Sequence, residues 1–178
     1  MKKRIYALIL GGIFTLAGCP LTSIAQTAST AEPTTVTKGK PYKENWANTK
    51  VILKKKIWTV EDKNNDNNTW EDLDAGAPAY NGANATVNAD DWLVSPPLHL
   101  IAGQTYALEA GAVVGGHSGT GQRMNIAYGT GDDPTTYNEI VPTTPISGTA
   151  FGTPTTIKTT FTPTETGDYR IGFHAVSD

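Results

Sequence analysis

Alternation of apolar and polar residues constrains this chain more than any other feature. Tyr106, Leu108 and Ala110 stand two apart, as do Met124, Ile126 and Tyr128. Ile157, Thr159 and Phe161 repeat the pattern, and Tyr169, Ile171, Phe173 and Ala175 extend it. Successive side chains of a strand point to opposite faces, so such segments bury one face and solvate the other. Turn-forming stretches such as Thr130-Gly131-Asp132-Asp133-Pro134 separate them. A sheet with one apolar face needs a second layer over it, which makes an antiparallel β-sandwich the expected all-β architecture. Val51-Ile52-Leu53 and Ile57-Trp58-Thr59-Val60 read as further β-rich runs. Trp92-Leu93-Val94 reads as a strand ended by Ser95-Pro96-Pro97, because proline has no ladder donor. Outside the N-terminal leader no comparable window keeps a helical period.

That leader opens with Met1-Lys2-Lys3-Arg4 and runs apolar from Ile5 to Ala17, the form of an export signal and short for a membrane span. Two processing sites compete. Leu16-Ala17-Gly18-Cys19 has the form of a lipobox, which would leave a lipidated Cys19 on an outer-membrane lipoprotein. Ser23-Ile24-Ala25 suits an ordinary signal peptidase, with Pro20 before it as a helix breaker, and cleavage after Ala25 is the expectation. Either route puts the protein outside the cytoplasm, secreted or on the cell surface, with no transmembrane span in the mature chain. Residues 26–40 are rich in Thr, Ala and Pro and read as a flexible spacer, leaving 41–178 as one domain. Cys19 is the only cysteine, so the mature domain has no internal disulfide to rely on. Three of the 14 basic residues belong to the leader, leaving 11 against 17 acidic, a formal charge of −6. That balance argues against a nucleic-acid partner.

Chemistry concentrates in Asp62-Lys63-Asn64-Asn65-Asp66-Asn67-Asn68. Oxygen donors at Asp62, Asn64 and Asp66 recur every second residue, a spacing that lets a tight loop turn them around one hard cation such as Ca2+. The loop has no glycine, but Asn65, Asn67 and Asn68 tolerate left-handed backbone. It is no EF-hand, since Asn67 stands where that loop needs glycine and Leu73 where it needs a bidentate Glu. The same spacing also occurs in plain solvated turns. If a metal binds, Asn68 would add a backbone carbonyl, and Asp90 or Asp91 would approach from the neighbouring strand.

No pattern supports catalysis. His99, His117 and His174 fit no metal motif, and His117-Ser118 sits in a Gly-rich stretch with no independent sign of a base or orienting group. Gly119-Thr120-Gly121 lacks the lysine of a phosphate loop, and Glu109 stands alone on the outward face of its strand.

Three separated segments resemble one family. Trp58-Thr59-Val60-Glu61-Asp62 with the Asn/Asp loop and Trp70 looks like the opening of a cleaved-adhesin, or choice-of-anchor J, module. Asp90-Asp91-Trp92-Leu93-Val94-Ser95-Pro96-Pro97-Leu98 is similar to the family's acidic-Trp/Tyr-Leu-[IV]-[ST]-Pro strand. Gly103-Gln104-Thr105-Tyr106-Ala107-Leu108 fits the strand that follows, and Gly167-Asp168-Tyr169-Arg170-Ile171-Gly172-Phe173-His174-Ala175 a late hallmark strand. Such modules occur in gingipain-type haemagglutinin regions and in exported proteins of Bacteroidetes. The resemblance implies a jelly-roll-like sandwich with structural calcium and no active site, and it places Asp62, Asn64 and Asp66 on the family's metal loop. It also implies a further strand beyond Asp178, so that the domain here lacks its last strand and neighbouring domains could follow.

The expected function is that of a non-catalytic adhesion or binding module for a glycan or an extracellular protein. The alternative is a structural accessory domain of a secreted enzyme or surface protein, with no small ligand. Sugar-binding sandwiches stack exposed aromatics on the pyranose face. Tyr80 and Asn81, in what reads as a long loop from Leu73 to Ala89, are candidates, as are Tyr137 and Asn138. Trp58, Trp70 and Trp92 read instead as core or loop-supporting residues.

Overall fold

The computed structural model describes residues 6–10, 15–16, 32–73, 76–81, 87–115, 122–146 and 154–177. Cys19, Ala25 and the loop holding His117 lie outside them. In chain order the strands are β1 (Tyr6–Leu10), β2 (Thr15–Leu16), β3 (Thr34–Thr35), β4 (Thr59–Asp62), β5 (Trp70–Asp72), β6 (Pro78–Asn81) and β7 (Asp91–Val94). They continue as β8 (Leu98–Leu100), β9 (Tyr106–Gly115), β10 (Arg123–Thr130), β11 (Asn138–Pro145), β12 (Thr155–Phe161) and β13 (Gly167–Ala175). A short helix α1 (Thr49–Lys54) precedes β4, and a single 3-10 turn covers Pro134–Thr136.

Two sheets form an all-β sandwich. One has the order β12-β9-β1-β6-β5, with β2 also on β9. The other runs β11-β10-β13-β7-β4, with β8 alongside β13 and β3 parallel to β8. Every other strand pair is antiparallel. The alternation expected from the sequence settles which faces meet. Tyr106, Leu108, Ala110 and Ala112 of β9 are buried, and so are Met124 and Ile126 of β10 and Tyr169, Ile171, Phe173 and Ala175 of β13. Glu109 points outward to Lys158, its cross-strand partner on β12, at 3.0 Å.

The opposite face of β13 is covered as well. Trp92 and Tyr137 lie edge to face with centroids 6.3 Å apart over a lane of glycines. A Cβ on Gly172 would stand 2.7 Å from the Trp92 ring, and one on Gly129 2.4 Å from Tyr137. Only glycine fits either position.

Four segments differ from the sequence reading. Val51-Ile52-Leu53 belongs to α1, not to a strand. The Thr49 hydroxyl donates to the Trp46 carbonyl at 3.0 Å, and Ile52 and Leu53 rest against the core. The C-terminus closes as a Schellman motif: Ile57 N–H donates to Ile52 O and Lys56 N–H to Leu53 O, both at 3.0 Å. The left-handed residue that this closure needs is Lys56, at φ 52°. No glycine advertised it. The second difference is Tyr80, which lies on β6 and not in a long loop. The third is the leader: Tyr6–Leu10 forms the central strand of the first sheet. The fourth is the expected spacer, where Thr34–Thr35 pairs as β3 with β8 and Val36 is buried in the core.

Candidate metal centre

The polar loop leaves β4 at Asp62 and returns at Trp70, the first residue of β5. Asn65 and Asn67 take left-handed φ values of 55° and 64°. Those reversals turn backbone N–H groups inward onto the carboxylates. Asp66 N–H donates to Asp62 Oδ1 at 3.3 Å and to Asn64 Oδ1 at 3.2 Å, and Asn67 N–H donates to Asp62 Oδ2 at 3.0 Å. Asn68 reaches the Asp66 carboxylate twice, N–H to Oδ1 and Nδ2 to Oδ2, each at 2.8 Å. Lys63 N–H to Asp90 O at 3.0 Å and Asn64 Nδ2 to Asn88 O at 2.8 Å tie the loop to the segment before β7.

That tie brings in Asp91. It stands directly opposite Asp62 in the β4–β7 ladder and is fully buried. Its Oδ2 accepts from Asp90 N–H at 3.2 Å, while Oδ1 is buried with no well-aligned hydrogen bond among the described residues. Burial pushes the Asp91 carboxyl up to about 7, and the negative charges of Asp62 and Asp66 push the same way. The Thr69 hydroxyl and the Asp90 N–H oppose them, the hydroxyl without a well-aligned hydrogen bond. Like charges facing each other across a ladder are destabilising. The cation nearest in sequence, Lys63, turns away to Asp133 at 3.3 Å and Glu61 at 3.5 Å. Among the described residues Asp62, Asp66 and Asp91 form no ion pair.

Tyr80 completes the centre. Its ring is 2% exposed and meets Trp70 edge-on at 6.1 Å. Among the described residues its buried hydroxyl has no hydrogen-bond partner. Burial raises the phenol pKa, and Asp91, Asp66 and Asp62 raise it further, in that order. Trp70 in turn donates from Nε1 to the Asp91 carbonyl at 3.1 Å. The site therefore joins β4 and β7 of one sheet to β6 of the other, with Trp70 as its wall.

Asp90 faces elsewhere, because neighbouring residues of a strand point to opposite sides. Its Oδ1 lies 2.7 Å from His174 Nε2, and the imidazole stacks on Trp92 at 4.0 Å and 10°. Burial lowers the His174 pKa, against the pull of Asp90. His99 has a similar partner in Asp168 at 2.8 Å. The His99–Asp168 pair joins β8 to β13, and the His174–Asp90 pair joins β13 to the residue before β7.

The donors here suit a hard cation in kind: three carboxylates, the Asn64 amide oxygen and a phenol. Each carboxylate oxygen that accepts one N–H keeps another lone pair. Among the described residues three buried oxygens here, Asp91 Oδ1, the Thr69 hydroxyl and the Tyr80 hydroxyl, have no well-aligned hydrogen-bond partner. No group of three or more His, Cys, Asp or Glu side chains among the described residues is already drawn together at ligand distances.

The expected sugar-binding residues do not make a platform. Tyr80 is inside, and Tyr137 is buried against Trp92 with its hydroxyl donating to Gly131 O at 2.8 Å. Asn138 is exposed at the start of β11 in the second sheet, whereas Asn81 ends β6 in the first. Sequence reasoning therefore named Tyr80 for a surface role and missed its place beside the acids.

No family model matches this chain, and neither a curated protein nor a solved structure matches it. Among the described residues no helix is long and apolar enough to cross a membrane.

Proposed function

We propose that this chain is a non-catalytic, exported β-sandwich module of the cleaved-adhesin kind, stabilised by one calcium ion and used for adhesion. One observation carries the calcium reading: Asp91, buried and half unpartnered, opposes Asp62 and is coupled to Asp66. An ion held by Asp62, Asp66 and Asp91, with Asn64 and the Asn68 carbonyl, would neutralise a charge cluster that otherwise weakens the fold. Its chemistry is structural, a clamp between the loop and β7. Asp90 is left out of this set because His174 holds it.

The burial of Tyr80 and Tyr137 removes the stacking rings on which a glycan ligand was expected to sit. An extracellular protein partner is thus the better-supported ligand class, with a purely structural accessory domain as the second reading. The test is immobilised matrix proteins and polysaccharides probed in parallel with calcium present. Saturable binding to a protein that is lost in chelator supports the adhesive role. Binding to neither class leaves the accessory reading, and hydrolysis of any of them overturns the non-catalytic one.

A further inference from the structure

Strands β6 and β9 are not paired with each other. Each pairs instead with β1, which runs antiparallel to both: Tyr6↔Gly115 through Leu10↔Gly111 on one side, Tyr6↔Asn81 through Leu8↔Ala79 on the other. Among the described strands the two halves of the first sheet, β12-β9 and β6-β5, are thus joined only through the leader. The register sets large residue types against small ones. Leu8 stands opposite Ala79, Ile9 opposite Ala112 and Leu10 opposite Gly111, whereas Ala7 stands opposite Tyr80 and Val114. Ala77, Ala79 and Ala112 are buried. A continuous apolar run suits a strand with neighbours on both sides and a covered face. The same run reads as an export signal, and export processing at either Cys19 or Ala25 would remove it.

We propose that the space between β6 and β9 is a strand-acceptor slot whose occupant is the leader segment Tyr6–Leu10. The slot is closed while that segment is attached and opens when it is cut away. Cutting bares two facing rows of N–H and C=O groups in the middle of a sheet, where leaving them unpaired is unfavourable and invites strand addition. The processed chain then binds an extended apolar peptide, antiparallel to β6 and β9, in the register that the leader itself adopts.

The test starts from the intact folded chain carrying a protease recognition sequence between residues 20 and 31. After cutting, a fluorescent peptide of residues 5–12 should displace the leader fragment, and a scrambled peptide of the same composition should not. Stripping the fragment without adding peptide should speed amide exchange in β6 and β9 by about tenfold or more, while β10 and β13 keep their protection. Unchanged protection of β6 and β9 after stripping means they close on each other and overturns the proposal. Dimers that exclude the peptide overturn it too, by making a second copy the occupant. Leu8→Pro in the uncut chain gives an independent arm, since proline cannot join a central ladder. If this variant folds, the peptide should bind it; if it does not, refolding with the peptide should yield a co-eluting complex. Failure of the peptide in both cases sinks the slot.

Discussion

Asp91→Asn should reverse its effect on stability with pH and with calcium. The folded Asp91 carboxyl is raised from 3.8 to about 7 by burial and by the charges of Asp62 and Asp66. It therefore holds its proton more tightly than in the unfolded chain. The stability this gives is full below about pH 4 and is lost as pH rises through about 7. A change from 3.8 to about 7 corresponds to at most about 4 kcal/mol. In chelator at pH 8, the Asp91→Asn variant should be more stable than wild type by a substantial part of that figure. At pH 5 the advantage should fall to less than half of its pH 8 value, because the folded acid is protonated there and only the ionised unfolded chain still sets the two proteins apart. Calcium at a hundredfold excess over its dissociation constant should return about 3 kcal/mol to wild type and much less to the variant. Urea unfolding at pH 5 and 8, each with chelator and with calcium, measures all four corners. Parallel pH profiles for the two proteins in chelator would show that Asp91 is not the strained acid described here.

Other positions make separate predictions. Lys56→Gly should stabilise the fold by about 1 kcal/mol, read from urea midpoints, because the Schellman closure of α1 holds a lysine at φ 52°. Gly172→Ala should destabilise by about 1–3 kcal/mol, since the added Cβ meets the Trp92 ring at 2.7 Å, and calorimetry should show a lowered Tm. Asn68→Ala should weaken calcium binding less than Asp66→Ala in a fluorescence titration of the tryptophans, because only its backbone carbonyl is assigned to the ion.

What was legible in the sequence followed from local rules. Period-two alternation marked β9, β10, β12 and β13 and their buried faces, and the asparagines marked where the loop reverses, at Asn65 and Asn67 though not at Asn68. Elements that depend on distant partners were less visible. Helix α1 has β-branched Val51 and Ile52, a poor local signal. It forms because Ile52 and Leu53 reach the core and the chain closes through a left-handed lysine. Tyr80 looked like surface chemistry because nothing nearby in sequence shows that Trp70 and Asp91 come to cover it. The choice between Asp90 and Asp91 needed the strand's facing, which only the β4–β7 register supplies. Strand β1 was hidden by its own composition, since an apolar run serves export and a central strand equally well.

Calcium-dependent melting of wild type beside Asp66→Ala separates a metal centre from an ordinary polar turn. Wild type should melt several degrees lower in chelator than in calcium, the shift corresponding to about 3 kcal/mol at a hundredfold excess of the ion. Asp66→Ala should melt at nearly the same temperature in both. Identical wild-type curves with calcium and with chelator would contradict the metal centre and leave the loop an ordinary polar turn.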